Sequence, residues 1–355
     1  RLGDQICNYI GRLNADGSMD AAFNPGANGP ILCLALQSDG EILLGGAFDM
    51  LGGSVRTAIG RLLPNGALDH LFNPTITGIV FSIAIQPDGK PVIGGLFNNI
   101  NGQTRKGLAR LNANGSLDAS FNPGIGGIPA ALALQPDGKI LVVGAFTNVA
   151  GQTRNCLARL HADGTLDVGF NPDANGFVWA LALQADGKII VVGDFTKINQ
   201  APRKRIARLN ADGSVDSSFN LIGNTDASLY SLAIQADGKI LIGGEFLQIG
   251  GIWQQYAARL SNTGPALQEL VVNTAGTVIS WLRSGASPEV WRTTFERSSD
   301  GVTWLTLGAG VRVLGGWELA GLNLPHDTNI YIRARGYATA GICNGSGAMH
   351  EFVRL

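Results

Sequence analysis

The sequence predicts an all-β protein, an array of one repeated unit followed by a second all-β region. Three observations carry this. The phrase Asn-Ala-Asp-Gly-Ser-Met-Asp at 14–20 returns in close copies with glycines at Gly17, Gly66, Gly115, Gly164 and Gly213, a step of 49 residues. A second phrase, Gln-Ser-Asp-Gly at 37–40, returns at Gly89, Gly138, Gly187 and Gly238, in steps of 49, 49, 49 and 51. Gly makes up 50 of 355 residues and charged residues only 15%, which reads as turn-rich and weakly charged. A fixed period of this size marks an array of one supersecondary unit. Residues present in every copy build the unit, and residues that break the period are the better candidates for a site.

One unit, 128–172, shows what is repeated. Ile128 to Gln135 is an apolar run, and Asp137-Gly138 is a hairpin signal because both central positions of such a turn favour positive φ. Lys139 to Phe146 is a second strand rich in β-branched residues. A polar loop, Thr147 to Asn155, leads to a third strand at Cys156-Leu-Ala-Arg-Leu. Asp163-Gly164 is the next hairpin, and Thr165 to Phe170 is a short fourth strand ended by Asn171-Pro172. Four antiparallel strands per 49 residues describe a blade of a β-propeller; a β-solenoid is the weaker alternative. Alanines such as Ala131 and Ala133 suit the crowded axis. Five inner hairpins end at Phe48, Phe97, Phe146, Phe195 and Phe246, against six third strands carrying Arg12, Arg61, Arg110, Arg159, Arg208 and Arg259. Six blades are favoured, with five or seven as alternatives. Residues 1–13 read as the middle of a repeat, so upstream sequence is expected, or else pairing of this edge strand with a neighbouring subunit.

The segment ALQPDGKILVVGAFTNVAGQTRNCLARLHADGTLDVGFNP, residues 133–172, resembles the delta-60 repeat of bacterial surface and extracellular proteins, a β-propeller repeat. The resemblance covers residues 1–262. It implies a propeller fold and an extracellular or cell-surface setting, and it supplies no reaction or catalytic residue.

After Gly264 the period stops. Four of the six Trp, Trp281, Trp291, Trp304 and Trp317, fall in residues 265–355, a composition shift that marks a domain boundary. Short alternating segments at Thr277–Arg283, Trp291–Arg297, Thr303–Leu307, Gly316–Leu322, Asn329–Arg335 and Ala348–Val353 predict a β-sandwich. Ser280-Trp281, Asp300-Gly301, Leu324-Pro325 and Tyr331-Ile332-Arg333 together resemble a fibronectin type III domain, a family whose modules space, dock or adhere.

The formal net charge of −1 offers no global field to draw nucleic acid or an anionic membrane. No 18-residue apolar run predicts a membrane span. Cys33 reads as a small core residue; Cys7, Cys156 and Cys343 predict no disulfide framework.

The recurring Asn14, Asp16, Ser18 and Asp20 could offer oxygens to calcium, but Pro64, Asn65 and Asn114 in later copies favour an Asx-type turn. No cofactor is expected. Ser298 to Trp304 resembles an Asp-box and reads as a hairpin. Arg56, Arg105, Arg154 and Arg203 recur in the loop between second and third strands, with Gln254 taking that phase in the last unit. Either they form a ring on one face able to bind carboxylates or sulfates, or each ties down its own loop. The strand arginines face Asp20, Asp69, Asp118, Asp167 and Asp216 across the outer hairpin, within reach of an ion pair. Departures from the period gather before the first strands: Phe81, Asp173, Phe177, Trp179, Asp226 and Tyr230. The cluster Arg203, Lys204, Arg205 and the unusual Trp253 accompany them. Aromatics beside Asp, Asn and Arg suit a sugar or peptide surface. His70, His161, His326 and His350 show no metal-ligand spacing, and His161 reads as a turn residue. These observations predict a non-enzymatic extracellular scaffold or adhesion protein. A carbohydrate-binding propeller is the alternative, and a glycosidase or lyase with two carboxylates at the ring mouth is the third reading.

Overall fold

In the computed structural model the described residues are 7–14, 16–220, 225, 227–325, 328–338 and 349–355. Asp226, His326 and Cys343 lie outside them. Five antiparallel sheets follow one another: Ile31–Leu36, Ile42–Gly46 and Ile59–Leu62 in blade 1; Ile76–Ile85, Pro91–Ile100 and Leu108–Arg110 with the short Gln103–Thr104 in blade 2; Ile125–Leu134, Ile140–Val149 and Leu157–Leu160 with the short Gln152–Thr153 in blade 3; Val178–Leu183, Ile189–Gly193 and Ile206–Leu209 in blade 4; Leu229–Ile234, Ile240–Gly244 and Ala257–Leu260 in blade 5. Their first strands pack side by side in sequence order. In blades 2 to 4 the inner strands are largely buried, with Ala131, Ala180 and Ala182 lying between neighbours, so they read as apolar runs.

The fourth strand is shorter than expected. Leu160 and Leu166 form a single bridge, as do Leu62 with Leu68, Leu111 with Leu117 and Leu209 with Val215. The chain then turns at the aspartate: Phe170 N donates to the Asp167 carbonyl, and the phenylalanine swings into the cleft towards the next blade. Residues 1–6 of the expected edge strand lie outside the described residues; within 7–13 the pairing is the Leu13–Met19 bridge, with Ile10 and Phe23 packed on the outer face of blade 1. At the other end the outward face of blade 5 carries no following blade among the described residues. Leu241 there is 40% exposed, whereas its counterparts Leu43, Leu141 and Ile190 are fully buried.

Five of the six strand arginines, Arg12, Arg61, Arg110, Arg159 and Arg208, each bond their own aspartate and a turn group one repeat further on. Arg110 Nε bonds Asp118 at 3.0 Å, Arg61 bonds Asp69 at 2.6 Å, and Arg159 and Arg208 bond Asp167 and Asp216 at 2.8 Å. The Nη1 of Arg61, Arg110 and Arg159 donates to the turn carbonyl of the next blade, at Ala113, Ala162 and Ala211. Each guanidinium also lies 4.3 to 4.8 Å from the ring centre of the phenylalanine eleven residues on, a cation–π contact. A second cation joins in blades 2 to 4, where Lys90, Lys139 and Lys188 reach the same carboxylates.

Residues 266–354 form two four-stranded sheets. One is Val311–Val313, Gly316–Ala320, Val278–Gly285 and Ala266–Val272; the other is Leu305–Ala309, Arg292–Ser298, Tyr331–Tyr337 and Met349–Arg354. They share a core of Trp281, Phe295, Val290, Ile332 and Ala334, so this region is a β-sandwich. Ala266–Val272 and Val311–Val313 were not foreseen as strands. The first is only half-alternating, and the second is three residues long.

The sandwich sits on the propeller face that carries the Asp-Gly hairpins. Arg292 Nη1 donates to the Gln37 carbonyl of blade 1 at 2.8 Å. On blade 4, Ala185 N donates to the Ser287 carbonyl and Glu289 N to the Leu183 carbonyl, both at 2.8 Å, around a Gln184–Pro288 bridge. On blade 5, Gln268 Nε2 donates to the Ala236 carbonyl at 2.9 Å. The opposite, loop-bearing face is left open by the sandwich.

Candidate functional site

On the open face the first strand of every blade carries a β-bulge. The register slips between Ile31 and Cys33, Val80 and Ser82, Pro129 and Ala131, Val178 and Ala180, and Leu229 and Ser231. The extra residues are therefore Leu32, Phe81, Ala130, Trp179 and Tyr230. A bulge unpairs one residue and re-aims its side chain. Three of the period-breaking aromatics thus occupy one repeated position.

Blades 4 and 5 bring a cluster together. The Phe177 and Trp179 rings stack at 3.8 Å with an interplanar angle of 10°. Tyr230 meets Trp179 edge-on at 5.5 Å, a favoured aromatic geometry. Trp179 Nε1 donates to Asp194 Oδ2 at 2.8 Å. Arg205 Nη1 donates to the Asp194 carbonyl at 2.9 Å and approaches its Oδ1 at 3.4 Å. Burial, and then a hydrogen bond to the Glu245 carboxylate, push the Tyr230 hydroxyl pKa up from its ordinary value. The site offers half-buried ring surface bordered by two carboxylates. Such an arrangement can stack on the C–H face of a sugar and accept hydrogen bonds from its hydroxyls.

Asp194 and Glu245 were missed in the sequence, although the signal was present. Their repeat position holds Ala47, Leu96 and Ala145 in the first three blades. Phe81 sits at the bulge of blade 2 and has no ring contact with the cluster. Trp253 lies on the short ribbon Ile252–Trp253 of blade 5, 62% exposed, apart from the cluster as well. Asp173 serves as a tie, accepting from Asn155 Nδ2 at 2.7 Å and Gln200 Nε2 at 3.2 Å.

The loop arginines turn inward to their own blades. Arg56 donates to the Val55 and Asp69 carbonyls, and Arg154 to those of Thr153 and Val168. Arg105 bonds Thr104 and Ala119, and Arg203 bonds the Pro202 carbonyl. Arg56 and Arg154 are buried, and these contacts fit the second of the two readings, in which each arginine ties down its own loop. Lys204 is exposed.

The turn phrase closes on itself. Asp16 Oδ1 accepts from Ser18 N and Oγ, and Asn14 Nδ2 donates to Ser18 Oγ. Asp300 accepts from the Val302 and Thr303 N–H groups in the same manner, which holds its carboxyl well below the usual range. His161 closes the turn at Gly164. Among the described residues no group of three or more His, Cys, Asp or Glu could hold a metal ion, and no helix is long and apolar enough to cross a membrane.

Residues 37–72, 86–121, 135–170, 184–219 and 235–264 each match the family model described as Domain of unknown function (DUF5122) beta-propeller. No curated protein matches the chain. Among solved structures the chain is similar, with a TM-score of 0.38 and 12% identity over 91% of this chain and 85% of the other, to one described as a novel fungal alcohol oxidase with catalytic diversity among the AA5 family, in complex with copper. That likeness is too distant to speak to activity either way.

Proposed function

We propose that this β-propeller repeat protein is a non-enzymatic interaction scaffold of the cell surface or extracellular space, which takes its ligand at the open loop face of blades 4 and 5. The observation that carries this reading is the Phe177–Trp179–Tyr230 cluster with Asp194 and Glu245. It is the place where a repeated bulge position has been given aromatic and acidic residues that the blade itself does not require. Support for the scaffold side comes from the sandwich, whose two sheets pair in the order of immunoglobulin-like modules, and whose likeness to fibronectin type III domains belongs to this proposal. The likeness of the blades to delta-60 repeats, with the surface setting it implies, belongs to it too.

A second reading, carbohydrate recognition, is favoured by the pairing of stacked rings with carboxylate acceptors. An array of immobilised glycans probed with the whole protein tests it. Binding to a subset of neutral glycans, weakened about tenfold or more by Trp179→Ala, is the expected result. Silence across the array would remove the carbohydrate reading, and binding unchanged in Trp179→Ala would move the site elsewhere. Hydrolysis of a bound glycan, abolished by Asp194→Asn or Glu245→Gln, would replace both with the glycosidase alternative.

A further inference from the structure

We propose a second binding site, on the opposite face, in the cleft between the sandwich and blades 2 and 3, for a small carboxylate with an apolar, ring-sized body. The hairpins explain why a cleft forms there. Blades 1, 4 and 5 carry Ser38, Ala185 and Ala236 after the repeated glutamine, whereas blades 2 and 3 carry Pro87 and Pro136. The sandwich hydrogen-bonds the hairpin backbones of blades 1, 4 and 5. On blade 4 the docked hairpin group is the Ala185 N–H; Pro87 and Pro136 have no N–H to offer there, so those two hairpins stand free of the cap.

The space left is about 360 Å³, within the range of small-molecule sites. Trp291 and Trp317 wall it from the sandwich, and Pro87 and Pro136 from the propeller. Two guanidinium groups, Arg292 and Arg312, line it and no carboxylate does. Arg292 spends Nη1 on the Gln37 carbonyl, and among the described residues its Nη2 meets no acceptor. Arg312 meets Glu289 through Nη2, and among the described residues its Nη1 and Nε meet none. Both groups are held in place by rings, Arg292 over Tyr337 at 4.2 Å and Arg312 over Trp317 at 4.9 Å. Pre-positioned guanidinium donors beside aromatic walls suit a carboxylate on a flat apolar body. This site is independent of the loop-face cluster, so either can fail without the other.

The indole N–H resonances of Trp291 and Trp317 in the whole protein report the cleft. Titration with sodium benzoate is expected to shift both saturably. The neutral isostere benzamide binds about tenfold more weakly or worse, and benzylamine does not bind. Arg292→Gln weakens benzoate about tenfold. Ser38→Trp, which fills the cleft from an exposed rim position and leaves the docking contacts intact, removes the response. No saturable shift up to about 20 mM benzoate, an equal response to benzamide, or an unchanged response in a folded Ser38→Trp protein would each overturn the site.

Discussion

Arg110 shows what a repeated residue does. Its guanidinium bonds Asp118 in its own blade and the Ala162 carbonyl in the next, and covers the Phe121 ring. Asp118 is held well below its ordinary pKa, first by the Ser120 hydroxyl and then by Lys90 and Arg110. A carboxylate with a depressed folded pKa adds stability above its unfolded value of about 4, and that stability is lost as the pH falls through the folded value. Arg110→Ala is expected to cost about 2 kcal/mol, somewhat less than a fully broken buried pair, because Lys90 remains. A solvated Arg154 in the loop would be worth under about 1 kcal/mol. Its burial and its bond to the Val168 carbonyl at 3.0 Å raise the expected cost of Arg154→Ala to about 1–2 kcal/mol. Urea midpoints of the two variants check both values, and negligible shifts in both would show that neither arginine fastens the blade.

At the scale of the element, the outer hairpin is set by what packs beneath its glycine. A Cβ on Gly164 would stand 2.7 Å from the Phe121 ring, at a φ of +94°. Gly89, in the inner hairpin, has a φ of +82° and open space. Gly89→Ala therefore carries only the left-handed backbone penalty, about 1–2 kcal/mol. Gly164→Ala adds displacement of a ring buried between two blades and is expected to cost at least about 1 kcal/mol more. Thermal unfolding of the two variants separates these contributions. Equal shifts would mean that the phenylalanine moves aside freely and does not lock one blade to the next. The fourth strand predicted from sequence is cut to a single bridge at the same place. The Asp-Gly turn is legible, but the inward swing of Phe170 that cuts the fourth strand short depends on Arg159 and on the neighbouring blade.

Over the whole molecule the two regions share an interface, and His350 is buried within it beside Leu183, Ile234 and Trp291. Burial, with Arg283 nearby, pushes its pKa down to about 4. The unfolded chain binds this proton near pH 6.5 and the folded one does not, so stability is full at neutral pH and falls as the pH drops from 6.5 towards 4. The loss attributable to His350 between pH 7.5 and 5 is about 2 kcal/mol. Calorimetry at the two pH values is expected to show one joint transition for both regions, with a smaller pH shift in His350→Leu. An unchanged pH shift in that variant, or two separated transitions, would show that the cap and the propeller do not unfold as a unit.

The unit, its period and the Arg–Asp pairing were legible in the sequence alone. Each of these rests on local turn chemistry or on a pattern repeated often enough to cancel chance. The bulge that gathers Trp179 with Tyr230, the inward use of Arg56 and Arg154, and the seating of Arg292 on the Gln37 carbonyl were decided only by tertiary structure. Trp179 and Tyr230 are 51 residues apart in sequence, and Arg292 and Gln37 are 255 apart. What joins such partners is the stacking of blades and the docking of a second domain, and no local propensity records which side chains those two operations bring face to face.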